Sequence, residues 1–163
     1  MMTTNRRRLL IPQSLPPSAL ALLERRGDIE TVRFPHVIAA ADLVALLACH
    51  APVHGIVLGV TPFGDEALDA ARELAVAARV GVGFDAVDVA ALTRRNVPLM
   101  VTGTANSPSV AEATLFMMLA LAKRGAELDA LVRSGGWAER LTRTPFDLYG
   151  KTVLIVGFGR IGS

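Results

Sequence analysis

The chain has 163 residues, 52% of them hydrophobic and 20% charged, with a net charge of +2. That length accommodates one full domain, or one domain and part of another, and the composition excludes a disordered chain. The basic residues are scattered except for Arg6-Arg7-Arg8, which reads as the solvated start of a strand, so neither a nucleic acid nor a membrane is expected as partner.

No apolar segment with a small-residue cleavage site opens the chain, so no secretory leader is expected. Leu9-Leu10-Ile11 predicts a short strand ended by Pro12. Pro16 and Pro17 open a helix through Leu20, Leu22 and Leu23, with Gly27 as its stop. Ile29 to Phe34 predicts a second strand. Ala39 to Ala48 predicts a helix whose apolar face carries Leu43, Val44, Leu46 and Leu47. Cys49, the single cysteine, follows it. A packed structural thiol is expected there, and one cysteine without a partner suits a reducing cytoplasm.

His54 to Val60 predicts a third strand, Asp65 to about Glu73 a helix, and Leu74 to Val80 a fourth strand. Val87 to Arg95 predicts a short helix and Val97 to Val101 a fifth strand. Strands and helices alternate with short connections, which predicts an α/β fold with a parallel sheet. Five strands in the first 101 residues fit a flavodoxin-like doubly wound sheet of order 2-1-3-4-5.

The next helix opens near Ser109, with Ser109 and Glu112 at capping-box spacing. Its apolar run, Val110 to Ala122, is interrupted by Glu112 and Thr114 and is too short to span a bilayer. Being apolar on nearly all sides, it is expected to be covered by another domain or subunit. It ends near Gly125 or continues to Arg133, and Gly135-Gly136 breaks it.

Val153 to Val156 is an unbroken apolar, β-branched run, the pattern of a strand buried on both faces. Gly157, Gly159 and Gly162 follow at G-x-G-x-x-G spacing. Directly after a strand signal, that spacing predicts a dinucleotide turn. Gly157 permits the bend, Gly159 lets a pyrophosphate approach the backbone, and Gly162 lets a helix pack closely. The acidic residue expected about 20 residues further on is not within the 163 residues.

A second glycine turn, Arg79-Val80-Gly81-Val82-Gly83-Phe84-Asp85-Ala86-Val87-Asp88, follows the fourth strand at the carboxyl edge of the sheet. Open α/β sheets bind ligands there, and glycines let backbone N–H groups reach a small anion. Asp85 and Asp88 are expected to cap or face the helix start rather than form an acid/base pair. His36, His50 and His54 are remote from the Val82 turn in sequence and have no spaced carboxylate partner, so surface or loop positions rather than catalytic ones are expected for them. No Cys/His spacing predicts a metal site.

Taken together, Val80 to Asp88, Asn106 to Glu112, Gly135-Gly136-Trp137 and the dinucleotide motif resemble the D-isomer-specific 2-hydroxyacid dehydrogenases, from about Leu9 to Ser163. That family includes phosphoglycerate dehydrogenase and glyoxylate/hydroxypyruvate reductase. The resemblance implies a substrate domain over residues 1–101, and a linker helix with the start of a Rossmann NAD(P)-binding domain over 102–163. It implies hydride transfer between NAD(P)H and a 2-oxo acid, with either NAD or NADP as cofactor. Val82 and Gly83 would hold the substrate carboxylate through their N–H groups. Val110 would line the nicotinamide side, and Arg160 and Ile161 would donate backbone N–H groups to the pyrophosphate beside Gly157, Gly159 and Gly162. The helix from Ser109 would contribute to a homodimer interface. Ala86 departs from the family's usual Asn. The family's catalytic Arg, Glu and His lie beyond the dinucleotide motif, so these 163 residues by themselves are expected to be inactive. The alternative is a non-catalytic flavodoxin-like module for dimerisation or binding.

Overall fold

The computed structural model describes residues 6–163. By its internal contacts the chain divides into two compact units, Met1–Gly103 and Thr104–Ser163. In the first, strands and helices alternate: β1 Arg7–Pro12, α1 Pro17–Glu24, β2 Ile29–Phe34, α2 Ala40–Cys49, β3 Gly55–Leu58, α3 Asp65–Ala71, β4 Val76–Arg79, α4 Val89–Arg94 and β5 Leu99–Met100. All pairings are parallel and the order is β2-β1-β3-β4-β5, as the alternation predicts. Parallel neighbours require crossovers, and the helices supply them.

The core lies where the sheet meets these helices. Leu10, Leu43, Leu47, Val53, Ile56, Leu58, Phe63 and Leu92 are all buried there. Fully burying one such side chain stabilises the fold by roughly 1.5–3 kcal/mol. Leu43 and Leu47 form the inner stripe of α2, with Val44 and Leu46 flanking it. Cys49 ends that helix on the solvent side and is exposed, not packed.

Helix ends differ from expectation in ways the local chemistry explains. α1 stops at Glu24, short of Gly27. The bend into β2 is held instead by Arg26, whose Nε and Nη2 donate to Asp28 at 2.8 and 2.7 Å. That fork holds the Asp28 carboxyl below its ordinary range. α4 begins at Val89 rather than Val87, because Val87 bridges Phe63 and Asp88 caps the helix. On the outer surface, Arg95 donates to Asp69 at 2.5 Å and lowers that carboxyl's pKa.

In the second unit, α5 is Ser107–Ala122 and α6 is Gly125–Arg133, followed by a 3-10 turn over Trp137–Thr142. Pro108 occupies the first turn of α5, and the helix starts two residues before Ser109. The Ser109/Glu112 capping box therefore does not form. The break between α5 and α6 falls at Arg124, which adopts left-handed φ (50°). α6 stops as predicted: Gly135 takes φ 80°, and the Gly136 N–H donates to the Leu131 carbonyl at 2.9 Å. Along α5 only Ser107 and Ala122 are buried. Leu115, Phe116, Met117, Leu119 and Leu121 are exposed.

Val153–Val156 does not form a strand, contrary to its sequence pattern. It runs without ladder partners, and Leu154 and Val156 are 84% and 91% exposed. A strand exists only through pairing, and no other strand is present among the described residues of this unit. No described helix is long and apolar enough to cross a membrane.

Candidate functional site

The glycine turn after β4 is built by three sets of backbone bonds. The Val80 N–H donates to the Leu58 carbonyl at 3.1 Å, which carries the β3–β4 ladder one residue past β4. The Thr102 N–H donates to the Gly81 carbonyl at 3.1 Å, tying the turn to the end of β5. On the far side, the Phe63 N–H donates to the Ala86 carbonyl at 2.9 Å, and the Phe63 carbonyl accepts from the Asp88 N–H at 2.8 Å. The turn is therefore pinned at both ends. Between these anchors, the N–H groups of Val82 and Gly83 meet no acceptor among the described residues. Two adjacent unpaired donors thus stand at the carboxyl edge of a parallel sheet, where open α/β folds commonly bind ligands.

Gly81 has φ 147°, and any Cβ there would overlap the Arg79 guanidinium. Arg79 is half-buried and folds back over Gly81. Its Nη1 donates to the Val80 carbonyl at 3.2 Å, and its Nε is buried without a partner. The Arg79 guanidinium thus lies against Gly81, the residue before the two free amides. The motif contained Arg79, but the sequence alone assigned it no role. A signal was present: an arginine as the last residue of an otherwise apolar strand, directly before the glycines. Asp88 accepts from the Ala91 N–H at 2.9 Å and is the helix cap, whereas Asp85 caps nothing and stands beside Gly83.

His36 is exposed, with Nδ1 2.6 Å from Ser14 Oγ. His54 lies in the loop before β3, but it is buried. It is 9% exposed and has a carboxylate neighbour, with Nε2 3.7 Å from Glu73. The stretch between His54 and Glu73 includes all of α3, so only the crossover brings the two together. Among the described residues no cluster of His, Cys, Asp and Glu is placed to hold a metal ion.

In the second unit, Gly157 takes φ 95°, a conformation favouring glycine, while Gly159 is open on the side where a Cβ would stand. At Gly162 a Cβ would collide with the Gly157 carbonyl. The Ser163 N–H donates to the Gly159 carbonyl at 3.0 Å, closing one helical turn over Arg160 and Ile161. The N–H groups of Arg160 and Ile161 have no acceptor among the described residues. Gly157 thus has a glycine-favouring φ, Gly159 an open side and Gly162 a close backbone contact, and the Arg160 and Ile161 amides are unpaired among the described residues. Val110 is exposed in the first turn of α5. Further along that helix, Thr114, Leu115 and Met118 face the run Val153–Gly157 across an apolar groove of about 740 Å³.

A doubly wound parallel sheet with a glycine turn at its carboxyl edge, followed by G-x-G-x-x-G spacing, is a pattern found in nucleotide-binding α/β proteins. Residues 9–153 match the D-isomer specific 2-hydroxyacid dehydrogenase catalytic domain, and the chain belongs to that family. It is 37% identical over 156 residues to D-3-phosphoglycerate dehydrogenase of Mycobacterium leprae, covering 95% of this chain and 28% of that protein. Among solved structures, the TT0316 protein from Thermus thermophilus aligns with a TM-score of 0.81 at 33% identity, over 95% of this chain and 50% of the other. The NADPH-dependent glyoxylate/hydroxypyruvate reductase of Sinorhizobium meliloti, in complex with NADP and malonate, aligns with a TM-score of 0.72 at 29% identity, over 96% and 48%. The chain thus spans under a third of that curated relative and about half of these solved chains.

Proposed function

We propose that residues 1–101 are the substrate domain of a nicotinamide-dependent 2-hydroxyacid dehydrogenase, and that 102–163 carry its linker helix and the opening of its nucleotide domain. The observation that carries this reading is the pair of free amides at Val82 and Gly83, in a glycine turn pinned at the sheet edge, with the Arg79 guanidinium folded against the adjacent Gly81. A carboxylate suits that arrangement: two N–H donors fix its oxygens, and Arg79 offsets its charge. Malonate in the complex of the Sinorhizobium meliloti reductase is a dicarboxylate, which accords with a carboxylate-binding family.

Gly157, Gly159 and Gly162 leave room for a pyrophosphate, held by the Arg160 and Ile161 amides, with Val110 on the nicotinamide side. NAD and NADP both suit these residues. When bound, the nicotinamide supplies the hydride that interconverts a 2-oxo and a 2-hydroxy acid. The chain's own residues hold and orient the acid. By family resemblance, proton donation and orientation of the 2-oxo group belong to Arg, Glu and His positions beyond Ser163. These 163 residues alone are therefore expected to bind without turnover. The exposed face of α5, with Leu115, Phe116 and Leu119, supports association into a homodimer. An exposed Cys49 without a disulfide partner suits a reducing, cytoplasmic setting.

Amide NMR of the chain titrated with malonate and with pyruvate tests the reading. The Val82 and Gly83 resonances are expected to move first and farthest, and Arg79→Ala to weaken the response. Shifts confined to other residues would overturn it. NADH oxidation with glyoxylate or hydroxypyruvate tests the inactivity, and turnover of about 1 per second or more would refute it.

A further inference from the structure

At the amino-terminal end of the sheet, β1 and β3 meet through a ring of two hydrogen bonds, one of which uses a side chain. The His54 N–H donates to the Arg8 carbonyl at 2.9 Å. In return, the Arg8 N–H donates to Nδ1 of the His54 ring at 3.0 Å, where a carbonyl would ordinarily accept. The His54 carbonyl accepts from the Ala75 N–H at 2.9 Å, which starts the seam with β4. The next pairs, Leu9 with Gly55 and Leu10 with Ile56, are the whole β1–β3 ladder. A buried imidazole therefore supplies a large share of a short seam at the centre of the sheet.

An Nδ1 that accepts a hydrogen bond carries no proton, so Nε2 carries it and faces Glu73. We propose that His54 is an acid-sensitive fastener of the β1–β3 seam: protonation of Nδ1 turns the acceptor into a donor and sets it against the Arg8 N–H. Charged and titratable groups face the ring from several elements. Glu73, after α3, favours the imidazolium, but it lies 3.7 Å away and is largely exposed, so solvent and salt screen it. Arg8, on β1, disfavours a second cation. Its guanidinium is held by Glu30 of β2 at 3.1 Å and by the His50 carbonyl, after α2, at 2.6 Å. An imidazole protonated on both nitrogens offers no acceptor to the Arg8 N–H, so the seam loses this bond wherever the ring is charged.

The test uses the 163-residue chain. Ring nitrogen NMR at neutral pH is expected to show Nδ1 of His54 unprotonated. On acidification, followed by the ring nitrogen shifts themselves, the exchange protection factors of the Arg8 and His54 amides should fall together by roughly tenfold as Nδ1 takes up its proton. In His54→Asn, Oδ1 occupies the place of Nδ1 and accepts without titrating, so the protection should become flat with pH. Glu73→Gln removes the group that favours the cation, and should move the loss to lower pH. A protonated Nδ1 at neutral pH would overturn the proposal, as would an unchanged pH profile in His54→Asn. If His54→Asn does not fold, the ring spectrum and the Glu73→Gln profile decide.

Discussion

Gly81 shows how one residue can shape a site without touching a ligand. Its φ of 147° is one that side chains rarely adopt, and the space a Cβ would fill is taken by the Arg79 guanidinium. Gly81→Ala meets both penalties at once: backbone strain and displacement of a half-buried cation. A loss of about 1–3 kcal/mol in urea unfolding of the first unit is expected. The Val82 and Gly83 amides should lose their response to malonate as well. Gly83 is a milder case. Its φ is not in the left-handed region, and a Cβ would come 3.2 Å from the Asp85 carboxylate. Gly83→Ala should therefore fold nearly normally and act on binding more than on stability.

Among the elements, α4 depends most on a single side chain. It has six residues, too few to be stable on propensity, and it follows directly from the glycine turn. Asp88 starts it by accepting from the Ala91 N–H, while its own N–H holds Phe63. Asp88→Ala keeps the backbone bond and removes the cap, so a loss of about 1 kcal/mol in urea unfolding is expected. Faster amide exchange should be confined to Val89–Ala91. A loss spreading to β4 would mean that Asp88 anchors the turn and not the helix alone. α5 is the opposite case. Its propensity is ample, and what it lacks is cover: Leu115, Phe116, Met117, Leu119 and Leu121 stand in solvent.

At the scale of the whole molecule, the two units differ in how much they bury. The first has a closed core between its sheet and helices. In the second, Val153–Val156 has no ladder partner and an apolar surface, a combination that templates association. Hydrogen exchange is expected to be fast across 151–163 and slow in β1, β3 and β4. Sedimentation should show dimers or larger species rather than a clean monomer. Equal protection in both units of a monodisperse monomer would contradict this.

Much of this was legible in the chain itself, because the governing forces are local or periodic. Alternating apolar runs set five strands and their crossovers, and five such strands match the flavodoxin-like order 2-1-3-4-5, which the sheet adopts. The two glycine turns were legible as turns that need glycine, Gly81 at φ 147° and Gly157 at φ 95°, because the spacing has a steric meaning. Gly135 ended α6 for the same reason. Tertiary structure decided whatever depends on partners distant in sequence. It withheld a strand from Val153–Val156, since pairing is not encoded in the run that pairs. It turned Cys49 outward and gave the cap of α4 to Asp88 rather than Asp85. It also folded Arg79 over Gly81, and placed His54 between Arg8 and Glu73. The separation of 46 residues between Arg8 and His54 closes only when the sheet forms, and Glu73 reaches the ring only once α3 has crossed back over it.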